Sequence, residues 1–118
     1  MSQDIPKSGE FQDLKLWFER KASIVTIGLT HLAADELGEV DQVELLDEGT
    51  EVVKGDILCT VDGTHGKIEV ISPANGIVES INETAKEEPS IVSEDPLEEG
   101  WLFKLQVEDL SEFKESIS

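Results

Sequence analysis

Short apolar runs separated by turn residues are the feature that most limits the fold of this chain. Several of these runs are rich in valine and isoleucine, and turn residues such as 47–49, 54–56 and 74–76 separate them. β-Branched runs punctuated by glycine, asparagine and aspartate are typical of a small all-β sandwich or barrel. We therefore predict a mainly β protein with strands at residues 16–19, 23–29, 40–45, 57–61, 68–71, 77–81 and 101–107.

Three segments depart from this pattern and predict short helices. Residues 30–37 begin with a threonine that can cap a helix, and Gly38 can close the last turn in the left-handed conformation. Residues 82–93 favour helix but contain Pro89, which predicts a turn or two of helix with a kink or loop. Residues 107–117 carry apolar side chains at helical spacing, which predicts a C-terminal helix.

Length and charge narrow the classes of function. A chain of 118 residues is long enough for one modest core, and we expect an N-terminal arm over residues 1–13 and one domain over residues 14–118. The chain has 27 acidic and 9 basic residues, a formal charge of −18, which disfavours binding to nucleic acid or to anionic membranes. We expect a monomer. Its negative charge favours encounter with basic patches on partner proteins, although a charge excess of this kind is more often only a solvated surface.

The cysteine and histidine content gives no support for redox, metal or catalytic chemistry. Cys59 is the single cysteine and lies in an apolar run, so we expect a buried structural thiol and no disulfide. His31 and His65 lack the spacing of metal ligands, and we predict no metal site and no catalytic residue. No signal-like start or membrane-length apolar run is visible, so the sequence predicts a cytoplasmic protein. The aromatic residues of the predicted strands are assigned to packing: Trp17, Phe18, Trp101 and Phe103.

The segment 55–76 contains the run Asp62-Gly63-Thr64-His65, followed by Gly66, Lys67 and later Ser72-Pro73 with Gly76. This segment resembles the lipoyl-attachment hairpin of the glycine cleavage system H protein family, in which a Glu-Ser-x-Lys turn joins two strands. The resemblance implies that residues 62–65 form the corresponding turn. The resemblance extends from about residue 16 to residue 107. Its most specific piece is Gly-Trp-Leu-Phe at residues 100–103.

The resemblance implies a fold and a function. The fold is a hybrid barrel-sandwich of the lipoyl-carrier type, with short flanking helices and a C-terminal helix. Members of the family carry lipoate on a lysine and shuttle an aminomethyl group from a pyridoxal-phosphate decarboxylase to an aminomethyltransferase, after which dihydrolipoyl dehydrogenase reoxidises the arm. Such a protein is a carrier and not an enzyme.

Counting back from Ser72-Pro73, the lysine of the family falls on His65, while Asp62 replaces the glutamate and Gly63 the serine. An acyl group on an imidazole nitrogen is prone to hydrolysis, whereas a lysine amide persists. We therefore predict that His65 is unmodified and that the chain carries no cofactor. The residues Asp62, Gly63, Thr64 and Gly66 are predicted to form a recognition hairpin around it.

Two alternatives concern the residues of this turn. Lys67 would be the lipoyl acceptor if the loop were shifted by two residues, and the chain would then be a working carrier of an aminomethyl group. His65 would serve as a metal ligand, an acid–base group or a pH-sensitive contact in a different class of protein. We favour an exposed turn residue in a non-catalytic, protein-binding paralogue of the H protein, with the glycine cleavage enzymes or lipoate-attaching enzymes as partners.

Overall fold

The computed structural model describes residues 9–12, 15–111 and 113. Within these residues the elements follow the order β1 (Gly9–Phe11), β2 (Leu16–Lys21), β3 (Ile24–Leu29), α1 (His31–Leu37), β4 (Val40–Leu45), β5 (Glu51–Val52), β6 (Ile57–Gly63), β7 (Gly66–Ile71), β8 (Gly76–Ile81), α2 (Glu83–Glu87), α3 (Ser90–Glu94) and β9 (Phe103–Val107).

The strands form two antiparallel sheets, which confirms the predicted mainly β class. One sheet has the order β1-β2-β3-β9-β8-β5, and the other has the order β4-β6-β7. Each predicted run overlaps a strand, although β9 begins at Phe103 rather than at residue 101. The sequence pattern misses β1 and β5, because strands of three and two residues are too short to show alternation. β1 lies within the predicted arm of residues 1–13 and pairs with β2.

Side chains from both sheets form one hydrophobic core. Fully buried members include Leu16, Ile27, Val61, Val70 and Leu105. Among the aromatic residues assigned to packing, Phe18 and Phe103 belong to this core. Trp17 is buried outside it, and Trp101 is only half-buried.

Helix α1 has the predicted start, and its end differs from the prediction. Thr30 caps the helix, because its Oγ1 accepts a hydrogen bond of 3.2 Å from the backbone N–H of Ala33. Gly38 follows the helix with φ 76° and ψ −142°. The predicted left-handed helical conformation is therefore wrong in ψ, because the chain extends at once into β4; this combination of angles is essentially restricted to glycine.

The other helical predictions fall on short segments. Residues 82–93 contain α2 and the start of α3, which are separated around Pro89 as the sequence predicts. Of the predicted terminal helix over 107–117, residues 110, 111 and 113 are helical, and residues 112 and 114–117 lie outside the described residues. Phe113 packs edge-on against Phe18, with ring centroids 5.1 Å apart. None of the helices in the described ranges has the length and apolar character that a bilayer crossing requires.

Candidate functional site

The candidate site is the tip of the hairpin formed by β6 and β7. Gly63 pairs with Gly66 and Asp62 pairs with Lys67, so that Thr64 and His65 form a two-residue loop. The side chains of Thr64 and His65 are exposed. The sequence-predicted hairpin residues are thus brought together at one end of the three-stranded sheet, and His65 lies at its tip.

Backbone hydrogen bonds hold this tip against the end of α1. The N–H of His65 donates to the carbonyl of Leu37 over 2.9 Å, and the N–H of Thr64 donates to the carbonyl of Glu39 over 3.0 Å. The hydroxyl of Thr64 also donates to the carbonyl of Glu39, over 3.2 Å. The loop is therefore bonded to the end of α1 and the residues that follow it, in addition to its own strands.

Two glycines allow the tip to approach the helix closely. A Cβ at Gly38 would lie 2.5 Å from Cδ2 of His65, so the imidazole rests against the backbone of Gly38. A Cβ at Gly63 would lie 2.6 Å from the carbonyl oxygen of Leu37. A larger residue at 63 would require the backbone to move, whereas a larger residue at 38 would require the imidazole of His65 to shift. The sequence pattern predicts Gly38 only as a helix end. Nothing in that pattern indicates that Gly38 also supports the side chain of His65.

Lys67 occupies a different position from His65. It is the second residue of β7, its side chain is exposed, and it lies opposite Asp62 in the ladder of β6 and β7. The neighbours Ile68 and Val70 point into the core, so Lys67 and Glu69 share the solvent face of the strand. The amine of Lys67 is therefore accessible, but it lies on a strand and not at the tip.

The chemistry of the tip does not suit a lipoyl arm. Stable attachment requires an amine that forms an amide, and the tip presents the imidazole of His65. Among the described residues, no group of three or more histidine, cysteine or acidic side chains that could hold a metal ion includes His65 or lies elsewhere. His31, the other histidine, is the exposed first residue of α1.

Cys59 lies on the same hairpin, and its thiol is expected to be unreactive. Its side chain is buried in the core. Burial, together with the nearby carboxylate of Glu44, raises the pKa of the Cys59 thiol to about 12. A neutral thiol at physiological pH is neither a nucleophile nor a metal ligand, which agrees with the structural role predicted for it.

Comparisons with known proteins identify the family of this chain. The family model described as "Glycine cleavage H-protein" matches residues 9–118. A probable glycine cleavage system H protein of Haloarcula marismortui is 34% identical over 118 residues, which cover 100% of this chain and 93% of that protein. The glycine cleavage system H protein of Bifidobacterium longum is 35% identical over 109 residues, 92% of this chain and 80% of that protein.

A solved structure gives the same assignment at the level of the fold. The crystal structure of a glycine cleavage system H protein from Mycobacterium marinum superposes with a TM-score of 0.78 and 26% identity, over 94% of this chain and 97% of that one. The shared architecture is the barrel-sandwich of lipoyl domains, and strand β7 of the hairpin lies at one edge of the three-stranded sheet. By sequence and by structure, this chain belongs to the glycine cleavage H-protein family.

Proposed function

We propose that this chain is a non-catalytic, protein-binding paralogue of the H protein that carries no lipoate at the usual turn. The observation that carries the proposal is the side chain at the hairpin tip, which is His65 where the resemblance to the family places the lipoyl lysine. The tip keeps a tight two-residue loop between regular strands. The scaffold that presents a residue is therefore intact, while the amine that would accept an acyl group is missing.

The surroundings of His65 support a role in docking. Its ring lies against Gly38 and its N–H is bonded to the carbonyl of Leu37, so the exposed surface of the tip is held in one arrangement. A preorganised surface loses less conformational entropy on binding than a mobile one. A partner would thus meet a fixed patch made from the loop and the end of α1.

The partners we propose are the enzymes that handle H proteins, namely the glycine cleavage enzymes or lipoate-attaching enzymes. The formal charge of −18 favours encounter with a basic face of such a partner. Because exposed charges are screened over about 8 Å at physiological ionic strength, we expect the association rate to fall as salt is added. An association rate that did not change between low and high salt would contradict the electrostatic part of this proposal.

A second candidate function has one observation in its favour. Lys67 presents an exposed amine two residues beyond the tip, and lipoate on Lys67 would make the chain a working carrier. We favour this less, because an attaching enzyme that recognises the tip of the hairpin would meet His65 first. The amine of Lys67 lies beside the ladder, opposite Asp62.

A gain-of-function variant distinguishes the two proposals. Purified wild-type chain and His65→Lys are incubated with a lipoate ligase, ATP and lipoate, and intact mass is followed by mapping of the peptide 55–76. We expect no adduct on the wild type and an adduct at position 65 of the variant. A second variant, Asp62→Glu with His65→Lys, is included because the family turn begins with glutamate.

The matched control is Lys67→Arg, alone and combined with His65→Lys. An adduct on wild-type Lys67 that disappears in Lys67→Arg would overturn the proposal and establish the carrier with a moved anchor. The chain isolated from its own cell is mapped in the same way, which tests whether a dedicated enzyme modifies it there.

A further inference from the structure

A second surface of the molecule lies away from the hairpin tip, on the face of the six-stranded sheet that is turned away from the core. Trp17 alternates along β2 with Leu16 and Phe18, which belong to the core, so Trp17 faces the opposite side. Gly28 lies beneath it, because a Cβ there would be 2.6 Å from the indole ring. The indole N–H donates to the carbonyl of Pro96 over 2.9 Å, which ties the loop before β9 to this face.

This face and loop form a cleft of about 380 Å³. Its base includes Trp17 and the half-buried Trp101. Thr26 pairs with Glu19 on one side and with Lys104 on the other, so these three side chains cross the same face in a row. The cleft therefore combines two indole rings with ionisable side chains at fixed register.

The charges of the cleft favour a cation. Three carboxylates line it, those of Glu19, Glu98 and Glu99, against the one ammonium group of Lys104. The ammonium nitrogen of Lys104 lies 5.6 Å from the centre of the Trp101 ring, within the range of a cation–π interaction. The chain's own lysine thus already uses the indole of Trp101 as a cation-binding surface.

We propose that this cleft receives an arginine side chain of a partner protein. A guanidinium group is planar, stacks on indole rings and forms paired hydrogen bonds with a carboxylate, whereas an ammonium group acts as a point charge. Glu98 and Glu99 line the cleft and are exposed, so their carboxylates can accept hydrogen bonds from the outer edge of the guanidinium. In the bound state, arginine competes with Lys104 for the ring of Trp101.

Other occupants fit less well. A phosphate or carboxylate ligand would meet three carboxylates, and a second copy of this chain would bring its own charge of −18. The inference deepens the proposed function, because it names the chemistry that a partner would present. It rests on the chain being a binding module, but its test does not depend on whether the hairpin is lipoylated.

The composition of the chain provides a direct readout of this site. Trp17 and Trp101 are the two tryptophans of the whole sequence, there is no tyrosine, and both line the cleft. The two indole N–H signals in a nitrogen–proton correlation spectrum therefore report on the cleft alone. The probe is a pentapeptide of glycine with arginine at its second and fourth positions, blocked at both ends. The matched probe has citrulline, the neutral isostere, at the same positions.

We expect the arginine peptide to shift the Trp101 indole signal saturably and the citrulline peptide to leave it in place. The double variant Glu98→Gln, Glu99→Gln should weaken binding about tenfold, since it removes two carboxylates from the cleft. The control is Glu51→Gln with Glu79→Gln, which removes the same charge from exposed positions on β5 and β8. Equal weakening by the two pairs would overturn the proposal, because binding would then follow net charge only.

A third variant tests the place of binding. Lys104→Gln frees the ring of Trp101 from its resident cation, so we expect the arginine peptide to bind about threefold more tightly. Lys54→Gln removes an equal charge from an exposed turn and should have a smaller effect. A wild-type Trp101 signal that does not move at saturating peptide, or an equal response to citrulline, would also reject the proposal. In either case the lipoylation result is unaffected.

Discussion

The imidazole of His65 rests on Gly38, a residue of the preceding helix–strand junction, and the distance of 2.5 Å from its Cδ2 to a Cβ built on Gly38 measures how closely they pack. Two separate costs are therefore expected for a side chain at position 38. One arises from the backbone, which has φ 76° and ψ −142°, and the other from the ring above it.

The first prediction separates these two costs. Gly38→Ala should lower the free energy of unfolding by about 2–4 kcal/mol, measured by urea denaturation. In a His65→Ala background, the same substitution should cost about 1 kcal/mol less, because the ring contact is gone. Gly49→Ala is the control, since Gly49 also has a positive φ, 86°, but nothing lies within 4 Å of its Cβ position. Identical costs of Gly38→Ala in both backgrounds would show that His65 does not press on position 38.

The second prediction concerns Asn82, which is buried between the end of β8 and the loop before β9. Its amide nitrogen donates to the carbonyls of Glu99 and Trp101 over 2.8 and 2.7 Å, and its oxygen accepts from the N–H of Thr84 over 3.2 Å. Asn82→Ala leaves these backbone groups without their partner, so we expect a loss of about 3 kcal/mol of stability. The measurement is the urea midpoint, with the exposed Gln42→Ala as control. A loss no larger than that of Gln42→Ala would contradict the assigned role.

The third prediction follows from the thiol of Cys59, whose pKa is raised to about 12 by burial and by Glu44. The unfolded chain has an ordinary thiol pKa and releases its proton at lower pH than the folded chain. The contribution of the Cys59 thiol to the free energy of unfolding is therefore fully present below the unfolded pKa and is lost as pH rises from about 9 toward 12. Compared with Cys59→Ala, the wild type should lose up to about 1.4 kcal/mol more per pH unit in this window.

Urea denaturation at pH 8 and pH 10.5 provides the comparison, because the other titrating groups are the same in both proteins. Parallel stability curves for wild type and Cys59→Ala would mean that the thiol titrates equally in the folded and unfolded states. A thiol reagent at pH 8 should correspondingly label Cys59 only after denaturation.

The fourth prediction concerns Gln12, whose side chain bonds the open edge of β7. Its amide nitrogen donates to the carbonyl of Glu69 over 2.8 Å, and its oxygen accepts from the N–H of Ile71 over 3.1 Å. Gln12→Ala should speed exchange of the Ile71 amide hydrogen by about tenfold, as followed by NMR. The amide of Val70 is the internal control, because N–H groups alternate in direction along a strand and that of Val70 therefore points toward β6 and away from Gln12. Equal acceleration at both amides would indicate general loosening rather than the loss of this bond.

The strands and the first helix could be predicted because their signals are local. Each of these signals depends only on residues a few positions away in the sequence. Examples are the β-branched runs, the cap at Thr30 and the break at Pro89. The side chain of Gln12 bonds Glu69 and Ile71, which lie 57 and 59 positions further along the chain, and no local pattern encodes these bonds. The ψ of Gly38 is set by the strand that follows, which explains why a cap rule assigns its φ correctly and its ψ wrongly.

The candidate site also has one part that the sequence predicts and one part that depends on tertiary contacts. The position of His65 in a tight turn is implied by the resemblance to the family hairpin, and the structure has it there, between Gly63 and Gly66. Its support by Leu37 and Gly38 depends on how α1 packs across the end of the sheet, which is a tertiary contact. The cleft could not be predicted from the sequence either. The sequence pattern assigns Trp17 and Trp101 to packing in the core, whereas both lie outside the main core in the fold.

The hydrogen bonds between the hairpin loop and the end of α1 have a consequence for any molecule that recognises the tip. The recognised surface is discontinuous, since residues near 38 and near 65 contribute to it together. A synthetic peptide that copies residues 57–71 would lack the helix and could not reproduce the surface, however well it formed a hairpin. Antibodies against this tip would therefore have to be raised against the folded domain, and inhibitors would have to be selected against it.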